Sequence, residues 1–173
     1  KVYLLTSHVS EEKAVLKILP ENQFSKSNYY KLFRASNPYL CLPSNFIHKS
    51  KNYYLLYSHN TSLQELLCVP GLFLTDIITL GIDLAKAVSF LLEQQFYEID
   101  IHPGNIYCNQ EKHFCLGDIS FQSGNAFLYS HEYMAPELPF LLTQASSAQN
   151  LSLKSVSCLY QYTICLLLLR LCN

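Results

Sequence analysis

An aspartate at position 100, an asparagine at 105 and a second aspartate at 118 have the types, order and spacing to carry out chemistry. They lie in Asp100-Ile101-His102-Pro103-Gly104-Asn105-Ile106 and in Leu116-Gly117-Asp118, and Met134-Ala135-Pro136-Glu137 follows. Phosphoryl transfer requires such a set. One carboxylate orients or deprotonates an acceptor hydroxyl, while an amide and a second carboxylate hold Mg²⁺ on the phosphates of a nucleotide. Taken singly, each residue has a plainer use. His102-Pro103-Gly104-Asn105 is good turn chemistry, and an aspartate after a strand caps a turn.

Strands and helices must bring these residues together, and the apolar pattern supplies both. Residues 2–5 and 14–19 read as strands joined by a polar turn through Ser10, Glu11 and Glu12, with Pro20 stopping the second. Residues 24–35 suit a short helix with Tyr29, Leu32 and Phe33 on one side. Residues 40–43, 45–48 and 53–57 read as further strands, with Lys49-Ser50-Lys51-Asn52 as a hairpin turn. After Pro70-Gly71, apolar residues from Ile77 through Leu84 to Leu92 recur at helical spacing and predict a helix over 74–95. Short strands at 106–108 and 114–116 flank the polar loop's exit. A loop-rich stretch covers 120–148, and a terminal helix begins near Leu153. Strands, a long helix, two short strands and more helix make an α+β chain in two layers or lobes, divided at about 58–62.

Half of the 173 residues are hydrophobic and only 14% are charged, which suits one compact domain and argues against disorder. A net charge of −1 offers no basic footprint, so nucleic acid is set aside as a partner. Seven cysteines without a C-x-x-C pair argue against zinc and for free or buried thiols in a reducing, cytoplasmic compartment. The sequons Asn60-Thr61-Ser62 and Asn150-Leu151-Ser152 keep the secretory pathway open as an alternative. Lys1-Val2-Tyr3-Leu4-Leu5 is soon followed by Glu11, Glu12 and Lys13, unlike a signal peptide. The apolar tail around 166–169 carries Gln161 and Arg170 and is too short to span a bilayer, so a buried helix and no transmembrane segment are expected.

The order of the motifs resembles the catalytic loop, metal loop and activation-segment end of the eukaryotic protein-kinase superfamily, and the likeness runs over most of the chain. That resemblance implies a two-lobed fold. A small, mostly-β N-lobe would cover 1–58, and an incomplete, mostly-α C-lobe would cover 59–173. It also implies ATP and Mg²⁺ as cofactors. Lys17, in Ala14-Val15-Leu16-Lys17-Ile18-Leu19, would meet the α/β-phosphates. Asp100 would be the base, and Asn105 and Asp118 would hold the metal. Tyr57 would close the rear of the adenine pocket, and Ser58-His59-Asn60 would form the hinge.

Several positions depart from the family pattern. The first glycine is Gly71, so no glycine-rich loop precedes Lys17. Counting back from Asn37-Pro38-Tyr39-Leu40 puts Asn28 where the family has the glutamate that pairs with this lysine. Residues 22–38 contain no acid, so Lys17 is expected to lack its ion pair. Glu98-Ile99-Asp100 stands for His-Arg-Asp, which removes the arginine that answers activation-loop phosphorylation. His102 replaces a lysine, and the Asp-x-His-Pro-x-Asn form also resembles small-molecule phosphotransferases. Tyr133-Met134-Ala135-Pro136-Glu137 resembles the eukaryotic type instead. Ile119 and Ser120 replace Phe and Gly. Ser157 replaces the aspartate that braces the catalytic loop. Glu137 is expected to lack an arginine, since only Arg170 follows it. Ser123, Tyr129, Ser130 and Tyr133 are phosphosites by residue type alone. An uncovered apolar terminal helix would call for a partner, a longer parent chain or poor solubility.

Three functions follow as expectations. The leading one is a kinase-like domain, catalytically impaired, that works through nucleotide binding, protein binding or both as a scaffold. A second is an active ATP- and Mg²⁺-dependent kinase of Ser, Thr or Tyr with Asp100 as base, since Lys17, Asp100, Asn105 and Asp118 all survive. The third is an α+β interaction domain whose motifs arose by chance. ATP and an unidentified protein, as partner or substrate, are the expected ligands.

Overall fold

Near-continuous apolar runs at 14–19 and 53–57 build the centre of a four-stranded antiparallel sheet. Its strands are β1 (Val2–Thr6), β2 (Lys13–Pro20), β3 (Asn45–Lys49) and β4 (Asn52–Ser58), in the order β1-β2-β4-β3. The structure is a computed structural model and describes residues 1–68, 72–109, 112–119, 121, 132–137 and 153–172. Its described part is a mixed α+β arrangement. The β3–β4 turn places Ser50 and Lys51 at φ 51° and 63°, the left-handed pair that matches hairpin twist even without glycine.

Along β4 the side chains of Tyr53 and Leu55 are buried while Tyr54 and Leu56 are less so, as a period of two requires. The covered face meets α1 (Lys26–Ala35), which begins with the Ser25 hydroxyl accepting from the Asn28 N–H and buries Tyr29 and Leu32. Phe24, Tyr29, Phe46, Tyr53 and Phe121 form an aromatic cluster with centroids 4.5–5.9 Å apart.

A second, three-stranded sheet runs β5-β6-β7 through β5 (Thr61–Ser62), β6 (Ile106–Cys108) and β7 (Phe114–Leu116). The expected strand at 40–43 is reduced to one parallel bridge between Leu40 and Leu116. Neither β5 nor the single turn α2 (Leu63–Leu66) stood out in the sequence, although Ser62 and Glu65 form a reciprocal capping box there.

Leu80, Leu84, Ala87, Leu91 and Leu92 bury one stripe of α3 (Leu74–Glu93). That helix packs on α4 (Leu153–Leu171), whose Val156, Tyr160, Ile164 and Leu167 are buried. Gly81 permits the approach, because a Cβ there would lie 2.8 Å from Leu168 Cδ1. Asp83, buried within α3, accepts the Phe114 N–H at 3.0 Å and so pins β7 to the helix. Burial of α4 is one-sided: Tyr162 and Leu169 are exposed, as are Cys158 and Cys165. Among the described residues no helix is long and apolar enough to cross a membrane.

Candidate functional site

Strand register selects the residues that face one cleft. Val2 and Leu55 lie opposite Lys17, and Tyr57 lies opposite Val15. Directly paired residues in an antiparallel sheet point to the same face. Val2, Val15, Lys17 and Tyr57 therefore share a face, and with Cys41, Ser58, Asn60, Tyr107 and Asp118 they line a small open cleft of about 110 Å³.

Lys17 has a partner that the sequence did not offer. Its ammonium meets the carboxylate of Asp118, 101 positions away, across this cleft. The ion pair with an acid on α1 is absent, as expected from Asn28, and the loop after β7 brings Asp118 to the sheet instead. Asp118 takes φ 48°, a left-handed conformation that aspartate tolerates better than most residues. Asn28 turns elsewhere, donating from Nδ2 to the Phe121 carbonyl at 2.9 Å. With its ring in the aromatic cluster, Phe121 anchors the chain just beyond Asp118. Its position, three residues after an aspartate, gave no separate signal.

The loop at 100–105 is held differently. Asn105 donates from Nδ2 to the Asp100 carbonyl at 3.1 Å, and its own N–H reaches the His102 carbonyl at 2.9 Å. The Gly117 N–H donates to the Asn105 carbonyl at 2.7 Å, tying this loop to the one that carries Asp118. His102 Nδ1 accepts from the Gly104 N–H at 3.1 Å, so the neutral ring carries its proton on Nε2, which lies 3.6 Å from Asp100 Oδ2. A Cβ at Gly117 would stand 2.5 Å from the Tyr107 ring, so the ring or the loop would have to shift for any other residue.

Tyr160 braces the strand of chain entering this loop. Its buried hydroxyl donates to the Tyr97 carbonyl at 2.5 Å and accepts the Ile99 N–H at 3.0 Å. Ser157, which replaces the bracing aspartate of the family pattern, instead takes the Gln161 side chain at 3.5 Å one turn along α4. A buried tyrosine in an apolar helix needs a partner for its hydroxyl, and this was the available clue. Arg170 is likewise not idle. It pairs with Glu132 and stacks over the Tyr133 ring at 4.8 Å, while Glu137 is exposed.

Among the residues expected to bind or react, Lys17, Tyr57 and Asp118 line the cleft, whereas Asp100 and Asn105 stand on the adjoining loop. His59 is exposed and outside the lining, with its neighbours Ser58 and Asn60 taking the wall. Burial, with the Asp118 charge added, drives the Tyr57 hydroxyl far above its ordinary pKa. Burial also raises Tyr107, helped by Cys41 and Asp118. Both phenols therefore stay neutral beside the cleft. Compared with known protein families and with characterised proteins, the chain matches none. Among the described residues no three His, Cys, Asp or Glu side chains cluster as a metal cage. Pro70-Gly71, Ser120, Ser123, Tyr129, Ser130 and the sequon at 150–152 lie outside the described residues.

Proposed function

We propose that this chain is a kinase-like nucleotide-binding domain in which turnover is impaired. The observation that carries the proposal is the Lys17–Asp118 contact across the cleft. A cation and a carboxylate facing each other, here beside the half-buried Tyr57 and Tyr107, suit Mg²⁺-bearing phosphates on arrival. In this proposal the four-stranded sheet with α1 is the N-lobe, and the helices with the second sheet are the C-lobe.

The donor set fits Mg²⁺. Asp118 supplies a carboxylate, and Asn105, whose amide nitrogen is committed to the Asp100 carbonyl, has its Oδ1 to offer. Two hard oxygens suit an ion that keeps water and arrives on phosphate, which needs no all-protein cage. The metal would supply neutralisation of phosphate charge. Impairment follows from α1: with Asn28 in place of an acid and bonded to Phe121, Lys17 has no second carboxylate to hold it once nucleotide takes Asp118.

Thermal melting with ATP, with and without Mg²⁺, tests this. A ligand present at tenfold its Kd stabilises the native state by about 1.4 kcal/mol. For a domain of this size that is a rise of roughly 3–6 °C. The rise should need Mg²⁺ and vanish in Asp118→Asn. No rise in folded wild-type protein overturns nucleotide binding.

The intact hydrogen bonding of the 100–105 loop favours active phosphotransfer as the second function. Autophosphorylation or ATP hydrolysis that is abolished by Asp100→Asn, with ATP binding unchanged, would establish it in place of impairment.

A further inference from the structure

The cleft is narrow for the ligand that its charges suit. Val2, Val15 and Tyr57 project into it from the four-stranded sheet, Val15 and Tyr57 as a directly opposed pair. Tyr107 enters from β6, and Cys41 from the segment bridged to β7. Both converge on Gly117, where a Cβ would lie 2.5 Å from Tyr107 Cε2 and 3.4 Å from Cys41 Cβ. The Tyr107 ring therefore rests against the backbone next to Asp118. The space left between these walls is about 110 Å³. An apolar cavity of about 150 Å³ holds a single benzene ring, and a purine adds a second fused ring. Pockets that enclose whole drug-sized ligands start at roughly 300 Å³. Asn60, whose amide could read a base edge, turns its Nδ2 toward Cys41 Sγ at 4.0 Å. The charged groups of the lining are Lys17 and Asp118, the pair that phosphate and its metal need.

On the footing of the nucleotide-binding function above, we propose that the cleft takes the Mg²⁺-bound phosphate chain alone and leaves base and ribose outside. The ligand class is then a linear phosphoanhydride, whether the tail of any nucleoside triphosphate or inorganic tripolyphosphate. Such a chain is one tetrahedral group wide, so a narrow open cleft admits it lengthwise where a fused bicyclic ring does not enter. It answers both members of the ion pair: Lys17 exchanges a carboxylate for phosphate oxygens, and Asp118 exchanges an ammonium for the metal that the phosphates bring. These contacts are the same for every nucleotide, so the site does not distinguish adenine from guanine or cytosine.

Thermal melting of the full chain with the Mg²⁺ complexes of ATP, GTP, CTP and tripolyphosphate, and with adenosine, tests this. The four phosphate ligands should have Kd values within about threefold of one another, read as rises that agree to roughly 2 °C at equal concentration. Adenosine should give no rise, and Lys17→Met should lose all four. A rise with adenosine, or a rise with Mg·ATP that tripolyphosphate does not give, overturns recognition of the chain alone and leaves nucleotide binding standing. A rise with tripolyphosphate and with no nucleotide supports the phosphate chain as ligand and overturns nucleotide binding. Rises that survive in Lys17→Met mark adventitious polyanion binding away from the cleft and overturn the proposal. The absence of every rise in folded protein overturns both readings.

Discussion

The loop at 100–105 and the Lys17–Asp118 contact sit side by side yet are held by opposite means. In the loop, Asn105 and His102 bond groups a few residues away, and the buried Tyr160 hydroxyl serves two backbone groups just before it. The Lys17–Asp118 contact joins residues 101 positions apart, with side chains 23% and 49% exposed. Buried hydrogen bonds are costly to leave unmade, whereas an exposed ion pair contributes about 0–1 kcal/mol. The loop is therefore a fixed frame, and the ion pair is a contact that a ligand can exchange.

Removing the brace should do the most damage. Tyr160→Phe keeps the ring in the α3–α4 core but leaves the Ile99 N–H and the Tyr97 carbonyl unpaired. The expected loss is about 2–4 kcal/mol, seen as a lower midpoint in urea unfolding followed by circular dichroism. A midpoint within error of wild type would mean that the loop is not held from α4.

Gly117→Ala attacks the seam between the two regions. The new methyl meets the Tyr107 ring, so the ring or the loop must shift, at a cost of about 1–3 kcal/mol. Because Tyr107 lines the cleft, the variant should also weaken any nucleotide-dependent rise in melting temperature. Equal binding in wild type and variant would place the ligand away from Tyr107. Asn105→Ala comes next. Losing the bond to the Asp100 carbonyl should cost about 1 kcal/mol, and the Mg²⁺ dependence of nucleotide binding should fall with it. Unchanged Mg²⁺ dependence would remove Asn105 from the metal's donors.

The frame was far more legible in the sequence than the contact. Short apolar runs at 14–19 and 53–57, bounded by turn residues, located β2 and β4, and the strands at 106–108 and 114–116 appear where the pattern put them. Those signals are local, with periods of two or 3.6 residues. What sets the cleft is not local. The pairing of Lys17 with Asp118 depends on how β2 docks against the loop after β7, and no periodicity encodes that. Tyr160 was hidden for a different reason, since in an apolar helix a tyrosine reads as core. Ser157 drew attention by its place in a motif, although its hydroxyl spends itself within its own helix. Phe121 shows the same limit: one aromatic residue in a loop looks incidental until Phe24 and Tyr29 are seen to receive it.

Lys17→Met should change stability least and say most about the comparison. If the Lys17–Asp118 contact is an exchangeable pair, its loss costs at most about 1 kcal/mol, partly offset by the apolar stem that methionine keeps. The melting temperature should then move by no more than roughly 4 °C. The same substitution should abolish the ATP-dependent rise, because phosphates would meet Asp118 with no cation beside it. Salt separates the two roles. Raising ionic strength screens exposed charges, so wild type should approach the variant's stability at high salt. A large loss of stability that salt does not touch would instead make the pair part of the frame. The contrast between a fixed loop and an exchangeable contact would then be wrong, and with it the expectation that nucleotide can displace Lys17 from Asp118.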